Sequence, residues 1–306
     1  MNTYDPDALE CLAAIVEEGG FERAAQRLSV TQSAVSQRLR ALEAQVGTVL
    51  IVRSRPLKAT AAGQLLLKHT KQLRLLRADL ERDMKELAPS STGGTRDEER
   101  ISIAINADSI ATWALPALGP LAVQGLPLEV IADDQDFTLE WLREGQVLGC
   151  VTTVKQALRG CKVLPLGAMR YVAVASPAYV AKHLPQGTLT PHNFSMQPFI
   201  AFNRKDDMQG EFVSKVFGLK RVSLRQVFVP SSEGQVRAVL AGWGVSVVPE
   251  LLVAGLLAEG QLVNIAPDHA LPIALYWHCW NLESEVLDSL TAALAQAARG
   301  VLVGVL

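Results

Sequence analysis

The chain has 306 residues, 49% of them hydrophobic and 20% charged, a composition that fits about two globular domains and excludes a disordered or collagen-like chain. No apolar run reaches the roughly 18 residues of a membrane helix, the N-terminus lacks a signal-peptide pattern, and Cys11, Cys150, Cys161 and Cys279 form no CxxC pair, so neither a zinc site nor a disulfide framework is expected. The net charge of −2 hides an asymmetry: residues 1–20 hold five acids and no base, whereas residues 21–77 hold eleven bases against two acids, a net +9. A nearly neutral chain with one concentrated basic block reads as a nucleic-acid module attached to something else, in a reduced cytoplasm.

In chain order, Asp5-Pro6-Asp7 opens a first helix with a cap and a proline at its first position, and Gly19-Gly20 ends it. A short second helix runs from Glu22 to Leu28, and Thr31 caps a third that reaches about Gln45 before Gly47. Val49–Val52 and Leu57–Ala59 pair as a two-stranded wing around the cationic turn Arg53-Ser54-Arg55-Pro56. Thr60 caps a long helix to about Leu87, on which Leu66, Leu73, Leu80 and Leu87 recur every seven residues, with Leu76 and Met84 between them. Such a stripe calls for a partner helix, or else for packing on the chain's own domains.

Residues 89–99 are a linker by composition. Beyond it, the β-rich runs Ile101–Ile105, Leu128–Ile131, Val147–Thr152, Tyr171–Ala175, Phe199–Phe202, Val222–Val229, Val245–Val248 and Ile273–Trp277 alternate with helices, which predicts α/β sheets of mostly parallel strands. Trp113 and Trp243 read as packing groups.

The strongest functional signal lies in residues 22–42. Ala24 and Ala25 are small enough for two helices to cross closely, and Val35, Leu39 and Leu42 share one face of the third helix. The other face then carries Gln32, Ser33, Ser36, Gln37 and Arg40, amides and hydroxyls suited to base edges and phosphates, with Arg53 and Arg55 at the wing tip for backbone or minor groove. This is a helix-turn-helix whose second helix enters the major groove.

These residues, with Leu50-Ile51-Val52-Arg53 and Thr60-Ala61-Ala62-Gly63, resemble the N-terminal domain of LysR-type transcriptional regulators. Phe21-Glu22-Arg23-Ala24-Ala25-Gln26, Asn106–Trp113, Asp206-Asp207-Met208, Ser231-Ser232-Glu233 and Leu275–His278 resemble the ArgP/LysG-like branch, regulators of arginine and lysine export; Glu22 stands where the wider family usually has Ser or Thr. The resemblance implies an α plus α/β chain: a winged helix-turn-helix at residues 1–60, a linker and dimerisation helix at 61–88, a flexible linker at 89–99 and an effector-binding domain at 100–306. That domain is expected to be two-lobed, like periplasmic solute-binding proteins of type 2, with lobe I at 100–167 and 271–306, lobe II at 168–270, and strands crossing near Gly167–Met169 and Leu271–Ala274.

Ligands of α/β sheets bind at the carboxyl ends of strands and at helix N-termini. Asp108, Ser109, Thr152, Thr153, Phe202, Asp206, Asp207, Ser231, Ser232 and Glu233 sit at such positions. Their hydroxyls suit an α-carboxylate and their acids suit cationic groups, so lysine or arginine is the expected effector. The same residues also read as helix caps, dipole partners and solvated loops, as does Asp133-Asp134-Gln135-Asp136. Promoter DNA, a second copy of the chain (as dimer and then tetramer) and RNA polymerase are the expected partners, with no membrane, metal or cofactor. No GxSxG, P-loop, GxGxxG or HExxH motif argues for an enzyme, so no catalytic residue is expected. The alternatives are a thiol redox sensor using Cys150 and Cys161, and an effector-independent architectural DNA-binding protein.

Overall fold

The computed structural model describes residues 4–52, 54, 57–87, 100–133, 138–220 and 222–304. They form two compact units: Met1–Glu98 with Glu140–Leu148 and Leu282–Val286, and Glu99–Leu139 with Gly149–Asn281 and Leu287–Leu306.

In the first unit, α1 (Pro6–Glu17) starts as its sequence requires, the Asp5 carboxylate accepting from the Asp7 amide at 3.1 Å. α2 (Phe21–Arg27) and α3 (Gln32–Val46) are joined by a turn in which Ser29 adopts φ 53°, a left-handed conformation that L-residues rarely enter. Thr31 Oγ1 accepts from the Ala34 amide at 3.1 Å, and Gly47 at φ 81° closes the helix. β1 (Ile51–Val52) and β2 (Lys58–Ala59) pair antiparallel as the wing, and α4 (Ala61–Leu87) follows. The core joins Leu12 and Ile15 of α1, Ala24 and Ala25 of α2, Val35, Leu39 and Leu42 of α3, and Leu66 and Leu67 of α4.

That core corrects the seven-residue stripe. The first turns of α4 pack inward, so Leu66 belongs to the winged-helix core, whereas Leu65, Leu73, Leu76, Leu80 and Met84 are exposed. The side chain of Leu87 lies outside what is described.

The second unit contains β3 (Ile101–Asn106), β4 (Leu128–Asp133), β5 (Gly149–Thr152), β6 (Cys161–Ala175), β7 (Pro198–Ala201), β8 (Arg225–Phe228), β9 (Ser246–Pro249), β10 (Val263–Asn264) and β11 (Leu271–Trp280). Its helices are α5 (Ala107–Ser109), which runs through a wide turn at Ile110–Ala114 into α6 (Leu115–Val123), then α7 (Thr138–Arg143), α8 (Pro177–His183), α9 (Met208–Phe217), α10 (Ser232–Leu240), α11 (Glu250–Ala258) and α12 (Glu285–Val301). α7 and α12 have residues in both units. The main sheet runs β10-β6-β11-β5-β3-β4, with β9 also on β6, and β7 and β8 form a separate parallel pair.

The expectation of mostly parallel strands is corrected. β3–β4, β3–β5 and β7–β8 are parallel, but every pairing of β6 and β11 is antiparallel, because these two long strands run past each other. They pair with Gly167 opposite Leu275 and Met169 opposite Ile273. The first half of β6 escaped the sequence reading: Pro165 and a Gly167 at φ 132° interrupt its strand pattern, and a register shift between Leu275 and Tyr276 absorbs the irregularity.

Candidate functional site

α3 presents the outward face that its periodicity requires. Gln32, Ser33, Gln37 and Arg40 are exposed and Ser36 is half-buried, while Val35, Leu39 and Leu42 are buried beneath them. The basic block is only partly available to a polyanion. Arg27 pairs with Glu17 at 2.6 Å, Arg38 with Asp7 at 3.1 Å, and Arg74 with Glu10 at 2.5 Å and Glu17 at 3.1 Å, so acids of α1 and its cap neutralise part of the +9. Arg53 and Arg55 lie outside the described residues; on the wing, Lys58 is exposed.

In the second unit a pocket opens where the carboxyl ends of β3 and β7 face β6 and β9. Asn106, Ala107 and Asp108 line it from one side, and Phe202, Asp206, Met208 and Gln209 from another. Tyr171, Gln235, Val247 and Pro249 complete the wall. Among the described residues, the lining includes two carboxylates and no Lys, Arg or His.

Both acids are held in place. The Tyr171 hydroxyl donates to Asp108 Oδ2 at 2.6 Å. Asp206 accepts the Phe202 amide on Oδ2 and the Met208 amide on Oδ1, each at 2.9 Å. Burial pushes the Asp206 pKa up; the two amides oppose that shift, and the nearby Asp108 and Asp207 reinforce it. Gln209 clamps β9 by donating to the Val247 carbonyl at 3.0 Å and accepting the Val247 amide at 2.7 Å. The Ser246 hydroxyl donates to the Ile200 carbonyl at 2.7 Å, and its oxygen lies 3.3 Å from Gln235 Oε1.

Of the ten expected effector residues, the pocket lining therefore brings together Asp108, Phe202 and Asp206. Ser109 and Ser232 are buried, each with a hydroxyl that has no partner, so both retain an unused hydrogen bond. Thr152 is buried and accepts the Val154 amide at 3.3 Å, and Thr153 follows it half-buried. Ser231 caps α10 by accepting the Gly234 amide at 3.1 Å, Asp207 is the residue before α9, and Glu233 is exposed in the first turn of α10. Residues 134–137 lie outside the described set. Trp113 is buried as expected, but Trp243 is 56% exposed, because it projects from the tight turn between α10 and β9 and does not pack.

Sequence reasoning missed Tyr171, Gln209 and Gln235. Tyr171 lies inside β6 and Gln235 inside α10, beyond the positional rule that located the others; Gln209, the second residue of α9, falls within that rule and was passed over.

Residues 6–64 match the bacterial regulatory helix-turn-helix protein, lysR family, and residues 94–302 match the LysR substrate binding domain. The chain belongs to the LysR family of transcriptional regulators. This LysR-type regulator is 43% identical over 303 residues to the HTH-type transcriptional regulator ArgP of Aeromonas salmonicida, covering 99% of each chain. The crystal structure of ArgP from Mycobacterium tuberculosis superposes with a TM-score of 0.87 at 40% identity, over 99% of this chain and 100% of that one. Full-length LysG from Corynebacterium glutamicum with bound effector Arg gives a TM-score of 0.75 at 35% identity, over 98% and 99%. The family and the branch read from the short motifs are both borne out, as is the α plus α/β fold class.

Proposed function

We propose that this LysR-type regulator senses a basic amino acid, arginine or lysine, and controls genes of amino acid export or metabolism. The observation that carries the reading is the second-unit pocket, where Asp108 and Asp206 are the charged groups among the described lining residues. An acidic, partly desolvated pocket favours a ligand that brings its own positive charge. The relative LysG, solved with Arg bound, agrees with this. Asp207, Ser109, Thr152, Thr153, Ser231, Ser232 and Glu233 then form a wider ring, and the unused hydroxyls of Ser109 and Ser232 suit the α-carboxylate.

On the DNA side, α3 reads base edges through Gln32, Ser33, Ser36, Gln37 and Arg40, and Arg53 and Arg55 hold the backbone. Two chains pair through the exposed seam of α4 at Leu73, Leu76, Leu80 and Met84, presenting two reading helices to a pseudo-palindrome. Two dimers form a tetramer, and the effector shifts its geometry and with it access for RNA polymerase. The division at residues 60, 88 and 99, and the lobes 100–167 with 271–306 and 168–270, describe this organisation. The protein acts in the cytoplasm and performs no catalysis.

A thiol switch at Cys150 and Cys161 has less support. Cys150 is fully buried on β5, and burial, reinforced by Cys161 and Cys279, pushes its thiol pKa up, so little reactive thiolate exists. An architectural role leaves the pocket unused. The test is a thermal-shift screen of the twenty amino acids against the full chain. Arginine or lysine is expected to raise the melting temperature, and a chain stabilised by neither would end the reading.

A further inference from the structure

Helical spacing gives α4 a second face. Lys68, Lys71, Leu75, Asp79 and Arg82 recur at intervals of three and four residues, on the side of the helix away from the exposed seam. Two segments from beyond the linker, residues 140–148 and 282–286, belong to the same compact unit as α4. Both meet this second face. Gly145 is buried at φ 70°, and a Cβ on it would lie 2.9 Å from Lys68 Cβ, so its backbone rests directly on α4. Lys71 Nζ donates to the Gln146 carbonyl at 3.2 Å and lies 3.9 Å from Glu17 of α1. Arg82 pairs with Asp79 at 3.1 Å and lies 3.7 Å from Glu285.

The two segments are continuous with paired strands. Residue 148 leads into β5 at Gly149, residues 282–286 follow the end of β11, and Gly149 pairs with Cys279. β5 also pairs with β3, whose last residue lines the pocket. A shift in these strands therefore reaches α4 through two connections at once. The contact is weak enough to open. Arg82 and Glu285 are both substantially exposed, and such pairs contribute about 1 kcal/mol or less. Asp79 is 9% exposed and its Oδ2 has no partner, which raises the free energy of the closed arrangement. Resting on the proposed basic effector, we propose that this face of α4 is a latch: residues 140–148 and 282–286 dock on it in one state of the regulator and release it in another, and the effector shifts the balance. Lys71, which contacts both Gln146 and Glu17, carries the change to α1 and so to the helix-turn-helix. A two-state element biased by both sites is what coupling between them requires.

The test uses the full-length chain carrying Lys68→Cys with Gly145→Cys, closed by diamide and reopened by dithiothreitol, with the wild type treated alike. Beside it stands Glu285→Arg, which sets two cations together at the second contact. Each protein is titrated calorimetrically with arginine and with lysine. Its affinity for a duplex that the wild type selects from a random-sequence pool is then measured with and without the amino acid bound more tightly. In the wild type and the reduced pair that amino acid is expected to change DNA affinity about 5-fold or more. In the oxidised pair the change should fall below about 2-fold, although the amino acid still binds within about 3-fold of the reduced form. Glu285→Arg should likewise keep amino acid binding and lower the change in DNA affinity about 3-fold or more, and it carries the test if the cysteine pair does not fold. A folded pair whose cysteines do not join, an oxidised pair that responds as fully as the reduced one, or a Glu285→Arg chain that responds like the wild type overturns the latch and leaves a basic effector standing. The same holds if the amino acid binds the wild type without changing its DNA affinity. Absence of binding by both amino acids overturns the effector reading, and the latch with it.

Discussion

Asp206 is a carboxylate held in a place that disfavours its charge. Burial raises its pKa, Asp108 and Asp207 raise it further, and the Phe202 and Met208 amides only partly compensate. A raised folded-state pKa contributes stability that is complete below the unfolded carboxylate value and is lost as pH climbs through the folded one. The ligand-free chain is therefore penalised near neutrality, and a cation beside Asp206 relieves that penalty. Arginine affinity is expected to strengthen as pH rises from the ordinary carboxylate range towards neutrality, and Asp206→Asn should flatten that dependence. Titrations at several pH values decide it; an identical slope in both proteins rules Asp206 out as the cause. At this scale the sequence was informative wherever a residue's role is local. Asp5, Thr31 and Ser231 cap helices because their side chains reach amides two or three residues away. Tyr171 was invisible because its partner, Asp108, is 63 residues distant in the chain.

Between elements, α4 is tied to the rest of its unit by the core residues Leu66 and Leu67, by a close approach at Gly63 and by an ionic cluster. A Cβ at Gly63 would lie 2.2 Å from the Leu50 carbonyl oxygen, which also accepts the Thr60 amide at 2.9 Å. Gly63→Ala has no room to relax against backbone and is expected to cost about 1–3 kcal/mol, read as a lowered denaturation midpoint; an unchanged midpoint would show that the helix start can shift freely. Arg74, its side chain 9% exposed, joins α4 to Glu10 and Glu17 of α1. At Glu17 burial works to raise the pKa, but Arg74, Lys71 and Arg27 outweigh it and hold the carboxyl below its ordinary value. That stability is present above the unfolded carboxylate pKa and disappears as pH falls through the depressed one. Arg74→Ala is expected to cost about 2–3 kcal/mol and to move acid-induced loss of helix to higher pH, followed by circular dichroism; an unmoved acid transition counts against the cluster. The helices, the wing and most strands were legible because periodicity and turn residues mark them. The start of β6 was not, since Pro165 and Gly167 resemble a break, and only pairing along β11 sustains the strand.

For the molecule as a whole, Leu80 is 59% exposed in the middle of an apolar seam on α4, a cost that the proposed pairing with a second copy would remove. Leu80→Glu is expected to convert dimers to monomers in sedimentation and to abolish tight operator binding, since one reading helix alone loses the gain from joining two half-sites; a dimer that survives the substitution places the interface elsewhere. The order of a DNA-reading head, a long helix and an α/β sensor was determined by the sequence alone, because charge distribution, hydrophobic period and capping residues are properties of neighbours along the chain. Which bases of the +9 block are engaged by α1, that Leu66 turns inward, and that Asn106, Asp108, Tyr171 and Asp206 share one pocket were decided only by tertiary structure. These facts depend on distances between residues far apart in the chain, and no local pattern encodes those distances until the strands have paired and the helices have packed.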